Sequence, residues 1–142
     1  MPSYYDPAKK CRAGTMDEAQ FQAEADPKSA SFFATLIAAW VKAGGSLRWG
    51  AGGVSLRGSI GGNEIAICFL APQFAGKKDR IELACATLAK QIGAARLEAL
   101  EQALRSAASS HVLGKSMISV VEPGLLPSTG QRALIKAFLD LM

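Results

Sequence analysis

"SLRWGAGGVSLRGSIGGNEIAICFL", residues 46–70, holds six glycines between Gly50 and Gly62, and the fold turns on what they do. A dinucleotide-binding loop places G-x-G-x-x-G between a strand and a helix, so that free N–H groups at the helix N-terminus face a phosphate. Gly50, Gly52 and Gly53 begin that pattern, but Ser55 takes the last glycine's place. The following VSLRGSI alternates like a strand, so the helix is missing. No G-x-x-x-x-G-K-[ST] loop occurs either. Gly61-Gly62 instead suits a two-residue hairpin turn, whose central positions need positive φ. The glycines turn the chain, and residues 46–50, 54–60 and 64–70 read as a three-strand meander.

Two-residue loops at Ala51-Gly52 and Gly61-Gly62 would set Trp49 opposite Val54, Leu47 opposite Leu56, and Leu56 opposite Ile67. Those residues then share a core face with Ile65 and Phe69. The other face carries Arg48, Ser55, Arg57, Ser59 and Glu64, with Ala66 and Cys68 beyond, and Arg57 lies diagonal to Glu64. A slip of one residue would exchange the two faces of a strand. Arg48, Arg57 and Glu64 carry two readings. One is a solvated sheet face held by a cross-strand ion pair. The other is an anion-recognition surface with two guanidinium forks aimed at phosphate or carboxylate.

On the N-terminal side, Pro2, Pro7 and Gly14 interrupt any periodicity, so residues 1–14 read as a flexible arm and 15–142 as a single domain. Thr15-Met16-Asp17-Glu18 fits a capping box opening a short helix on which Phe21 is the one large apolar residue. Asp26-Pro27 starts a stronger helix. Its apolar face is Phe32, Phe33, Leu36, Ile37, Trp40 and Val41, and Gly44-Gly45 ends it. After the basic turn Gly76-Lys77-Lys78, the spacing of Ile81, Cys85, Leu88 and Ile92 predicts a helix. Beyond Gly93 the stripe resets to Leu97, Leu100 and Leu104, giving two helices broken there or one kinked helix. MISVVE, residues 117–122, predicts a fourth strand closed by Pro123-Gly124. Ser128-Thr129-Gly130-Gln131 predicts a capped last helix burying Leu134, Ile135, Phe138 and Met142. The expected fold is α+β: a small, mainly antiparallel sheet of a three-strand meander plus a fourth strand, packed against four to five helices.

At 142 residues with 49% hydrophobic and 20% charged residues, the chain has the composition of one globular domain. The longest apolar run, FFATLIAAWV, is about half the ~20 residues of a membrane span, so a cytoplasmic protein with no membrane partner is expected. Three widely spaced cysteines and one histidine, His111, give no metal-ligand cluster, and no cofactor is expected. Cys68 and Cys85 fall in apolar surroundings and read as inert thiols. The net charge of +4 is uneven, with residues 1–39 at −1 and the remainder near +5, which suits an anionic partner. Lys77, Lys78 and Arg80 are the densest basic cluster, expected at a helix N-terminus, as a solvated turn or an anion site. Asp79, Glu82, Glu98 and Glu101 read as solvated helix charge.

The order helix, three-strand meander, helix, strand over residues 29–122 resembles the core of the restriction-endonuclease-like nucleases. That resemblance implies an acid on the second strand and an acid-x-Lys triplet on the third, holding Mg²⁺. Residues 54–60 contain no acid, and Glu64-Ile65-Ala66 has alanine where the lysine belongs, so the resemblance implies a catalytically silent relative. LAKQIGAARLEALEQAL, residues 88–104, resembles a DNA-binding helix-turn-helix, with Ile92-Gly93 at the turn. Its second helix carries Glu98 and Glu101 and offers Ala99 and Gln102 where that motif packs apolar side chains. No catalytic constellation emerges. The expected function is a non-catalytic binding or interaction module recognising an anionic ligand, or a protein partner, with Arg48, Arg57, Glu64, Lys77, Lys78 and Arg80 as ligand-binding residues. Nucleic acid is the competing partner, and unpartnered sheet edges leave a homodimer open.

Overall fold

The computed structural model describes residues 4–6, 11–13, 15–60, 62–74, 76–108, 111–114 and 117–142. Within the N-terminal stretch, β1 (Tyr4–Asp6) pairs antiparallel with β2 (Cys11–Ala13). The architecture is α+β, with a six-stranded, fully antiparallel sheet and five helices among the described residues. The strands are β3 (Ser46–Trp49), β4 (Val54–Ile60), β5 (Asn63–Ala71), β6 (Arg80–Ala84), β7 (Val112–Leu113) and β8 (Met117–Val121), in the order β3-β4-β5-β6-β8-β7. The helices are α1 (Glu18–Glu24), α2 (Pro27–Lys42), α3 (Cys85–Ile92), α4 (Ala94–Ala108) and α5 (Ser128–Leu139).

Alternation explains which sheet face is core. Val54, Leu56, Leu70, Ile81, Leu83, Ile118 and Val120 are completely buried and join the inward residues of all five helices in one apolar cluster. Phe21 of α1 stacks edge-on against Phe33 of α2 (5.2 Å) and Trp49 of β3 (5.8 Å), so a helix with one large apolar residue is held firmly by it. Trp40 of α2 donates its indole N–H to the Arg57 carbonyl (2.9 Å) and locks that helix onto β4. Asp26 caps α2 through the Lys28 N–H, with Pro27 in the first turn, as expected. Val41, expected on its apolar face, is exposed. The helix break at Gly93 is present, with α3 and α4 on either side.

Five local expectations are corrected. α1 is capped by Asp17, whose carboxylate accepts the Gln20 N–H, and not by Thr15. α5 has Pro127 at its N-cap position and no side-chain cap; Gln131 instead donates to the Gly124 and Leu126 carbonyls. Met142 is 40% exposed and lies beyond α5. Residues 80–84 are a strand, not the start of a helix. Ile81 satisfies both a helical stripe and a period-two alternation with Leu83, and hydrogen bonding between β5 and β8 decides for the strand. Asp79 and Glu82 consequently sit at a strand entry and within a strand, and Asp79 is only 2% exposed.

The fifth correction is the register of β5. Trp49 faces Val54 and Leu47 faces Leu56 across the Ala51-Gly52 loop, as expected. Ile60 faces Asn63 across Gly61-Gly62, of which Gly61 lies outside the described residues. Leu56, however, faces Cys68, because a bulge between Leu56 and Arg57 leaves one extra residue on β5. Past that bulge the faces exchange: Cys68 and Leu70 turn into the core, and Phe69 turns out. Gly53 allows the close approach that follows, since its φ is +153° and a Cβ there would strike the Leu70 carbonyl oxygen.

Asp79 ties the sheet to α2. Its carboxylate accepts the Gln73 N–H (2.7 Å) and the Asp26 N–H (3.1 Å), and its own carbonyl accepts the Glu122 N–H (2.8 Å). Burial raises its pKa above the ordinary aspartate value, against the opposing pull of those two N–H groups.

Candidate functional site on the open sheet face

The bulge and the strand β6 together build the face opposite the helices. One row of side chains crosses all six strands: Arg48, Ser55, Phe69, Glu82, Ser119 and Leu113, each paired with the next. At ~4.8 Å between strands the row is roughly 24 Å long. Not one of the six is buried. Ala66, Ala84, Met117 and Val121 flank the row, so apolar side chains are interspersed with charged ones across the face.

The six expected ligand-binding residues divide into two groups. Arg48, Arg57 and Glu64 lie on the β3–β5 side. There Glu64 accepts the Ser46 hydroxyl (2.7 Å) and stands 3.7 Å from the Arg57 Nε, the diagonal pair expected from the hairpin. Arg57 is thus partly engaged, and Arg48 has no side-chain partner among the described residues. Lys77, Lys78 and Arg80 lie on the β6–β8 side and line one shallow groove with Leu113, Gly114, Met117, Ser119 and Val121. They follow a tight turn, in which Phe74 and Lys77 exchange two backbone hydrogen bonds, and lead into a strand. The expectation of a helix N-terminus at this cluster is therefore corrected.

Within that group the roles differ. Arg80 is paired with Glu82 on its own strand and donates to the Lys78 carbonyl, which fixes its guanidinium. Lys77 and Lys78 are exposed and have no side-chain partner among the described residues. Beside the basic groove is a second hollow of about 220 Å³, lined by Ser55, Ala66, Phe69, Glu82, Ala84 and Met117, with Thr87 and Leu88 of α3 as an end wall. Met117 borders both hollows. Sequence reasoning missed this second hollow because it placed Phe69 in the core and read β6 as helix.

Other chemistry is sparse. Cys68 and Cys85 are buried, and burial raises both thiol pKa values, so neither is a ready thiolate. His111 is half-buried, with Nδ1 2.8 Å from the Val121 carbonyl oxygen. Among the described residues no group of three or more His, Cys, Asp or Glu is placed to hold a metal. No described helix is long and apolar enough to cross a membrane. No family model, curated protein or solved structure matches this chain.

Proposed function

We propose that the protein is a non-catalytic binding module whose open sheet face takes an anionic ligand. The observation that carries this reading is the pair of cations Lys77 and Lys78, unengaged among the described residues, on a groove where Arg80 is held in place by Glu82. Among the described residues, five cations (Arg48, Arg57, Lys77, Lys78, Arg80) stand against two carboxylates (Glu64, Glu82) on this side, and an excess of positive charge attracts anions. Lysine ammonium groups supply charge without fixed geometry, and the anchored guanidinium supplies direction.

The test is titration of the protein with inorganic phosphate and with labelled single-stranded and duplex DNA, at about 50 mM and about 200 mM salt. Anion binding should weaken as salt rises, and Lys77→Ala/Lys78→Ala should weaken it about tenfold. Absence of binding at low salt, or wild-type binding by the double variant, would overturn the reading.

A second reading, with a nucleic acid as ligand, rests on the spread of the cations. Arg48 on β3 and Arg80 on β6 stand three strand spacings apart, ~14 Å laterally, with Phe69 between them as a stacking surface. This reading does not draw on the nuclease resemblance, because the strand β6 follows the meander where that element order has a helix. It requires a steep salt slope, and requires Arg48→Ala/Arg57→Ala to cost as much affinity as the lysine pair.

A further inference from the structure

We infer that the ligand of the open face is a small amphiphilic anion, with its charged head among Lys77, Lys78 and Arg80 and its apolar body in the hollow floored by Phe69. This rests on the reading of the face as an anion site and adds the chemical class of the anion. The argument is one of continuity. The basic groove and the apolar hollow meet at Met117, a residue 48% exposed that borders both. A ligand seated at the lysines with any apolar extension toward β5 enters the hollow.

The hollow is built for the apolar half. Ala66, Ala84, Phe69, Met117 and Leu88 give it mainly hydrocarbon walls, and the small side chains of Ala66 and Ala84 leave the space open. Its volume of about 220 Å³ takes roughly seven non-hydrogen atoms at ~30 Å³ each. The one charged wall, Glu82, is paired with Arg80, so it repels an anionic head from the hollow less than a free carboxylate would. Glu82 and the lysines together set the orientation: head toward β8 and the 74–77 turn, tail toward β5 and α3. An inorganic anion fills only the groove and forgoes the hollow. A neutral apolar molecule fills only the hollow and forgoes the cations.

The experiment is calorimetric titration with inorganic phosphate, with linear alkyl phosphates from two to ten carbons, and with the matching alkanols, each kept below its aggregation concentration. Affinity for the alkyl phosphates should rise about fourfold per methylene, at ~0.8 kcal/mol each, and level off near six to eight carbons when the hollow is full. Ala66→Leu, at an exposed position lining the hollow, should abolish the chain-length gain and leave inorganic phosphate binding unchanged. Lys77→Ala/Lys78→Ala should weaken every phosphate and leave the alkanols unaffected. Equal affinity for inorganic and alkyl phosphates overturns the amphiphile and leaves the anion site standing. So does binding of DNA with no gain from the alkyl chain. Alkanols binding as tightly as their phosphates overturn the charged head. No binding of any phosphate overturns this inference and the anion site together.

Discussion

At the scale of single residues, Asp79 and Gly124 each hold contacts that join α2 to the rest of the chain. Asp79→Ala removes the acceptor for two backbone N–H groups, Gln73 and Asp26, in a site closed to water, and should cost about 2–4 kcal/mol by urea unfolding. The pH dependence follows from the raised pKa. Protonated Asp79 fits the native state better than the ionised form does. Its contribution is therefore complete below the ordinary aspartate pKa of ~3.9 and is lost as pH rises through the raised native value. The stability of the wild type relative to Asp79→Asn should fall with pH across that window and be flat above it. Gly124 donates its N–H to the Ser29 hydroxyl, and a Cβ on it would strike the backbone of Lys28 and Ser29 at the start of α2. Because backbone cannot give way as a flexible side chain can, Gly124→Ala should lose about 2–3 kcal/mol, read as a lower denaturation midpoint.

At the scale of elements, the bulge in β5 is the decisive feature. It predicts opposite responses from neighbouring residues. Cys68→Asp buries an unpaired charge and should cost on the order of 3 kcal/mol or more, whereas Phe69→Ser exposes a half-buried position and should cost about 1 kcal/mol. An unbulged hairpin would reverse that order. The same pair of variants, followed by thermal unfolding, therefore reads the register directly. β6 matters for a related reason. Its five residues carry Arg80 and Glu82 outward and Ile81 and Leu83 inward, which as a helix they could not do.

At the scale of the whole molecule, the contrast between the two sheet faces governs behaviour. The helix-covered face holds the apolar core, and the opposite face mixes apolar side chains with an excess of positive charge among its described residues. Two copies meeting through that open face would bring like charges together. Raising salt from about 50 to about 500 mM should therefore strengthen any such pairing while releasing a bound anion. Sedimentation equilibrium, with and without an alkyl phosphate, separates the two responses.

Much of this organisation is written locally and can be read from the chain. The glycine-punctuated meander, the Asp26-Pro27 start of α2, the break at Gly93 and the Arg57–Glu64 diagonal each depend on residues close in sequence, where turn chemistry and periodicity act directly. The basic triplet was equally visible, although its setting was not. Three features came from long-range packing. The bulge falls at Ile67, just before β5 gains β6 as a second partner at Phe69–Ala71, and no turn residue signals it. Ile81 obeys two periodicities at once, and only pairing with β5 and β8 selects the strand. The buried Asp79 carries the same letter as a solvated one and is distinguished only by the chain around Gln73 and by two distant segments, at Asp26 and Glu122, that close over it. The open face inherits its shape from the first two, because a one-residue shift and a helix-to-strand change each redirect side chains by half a turn.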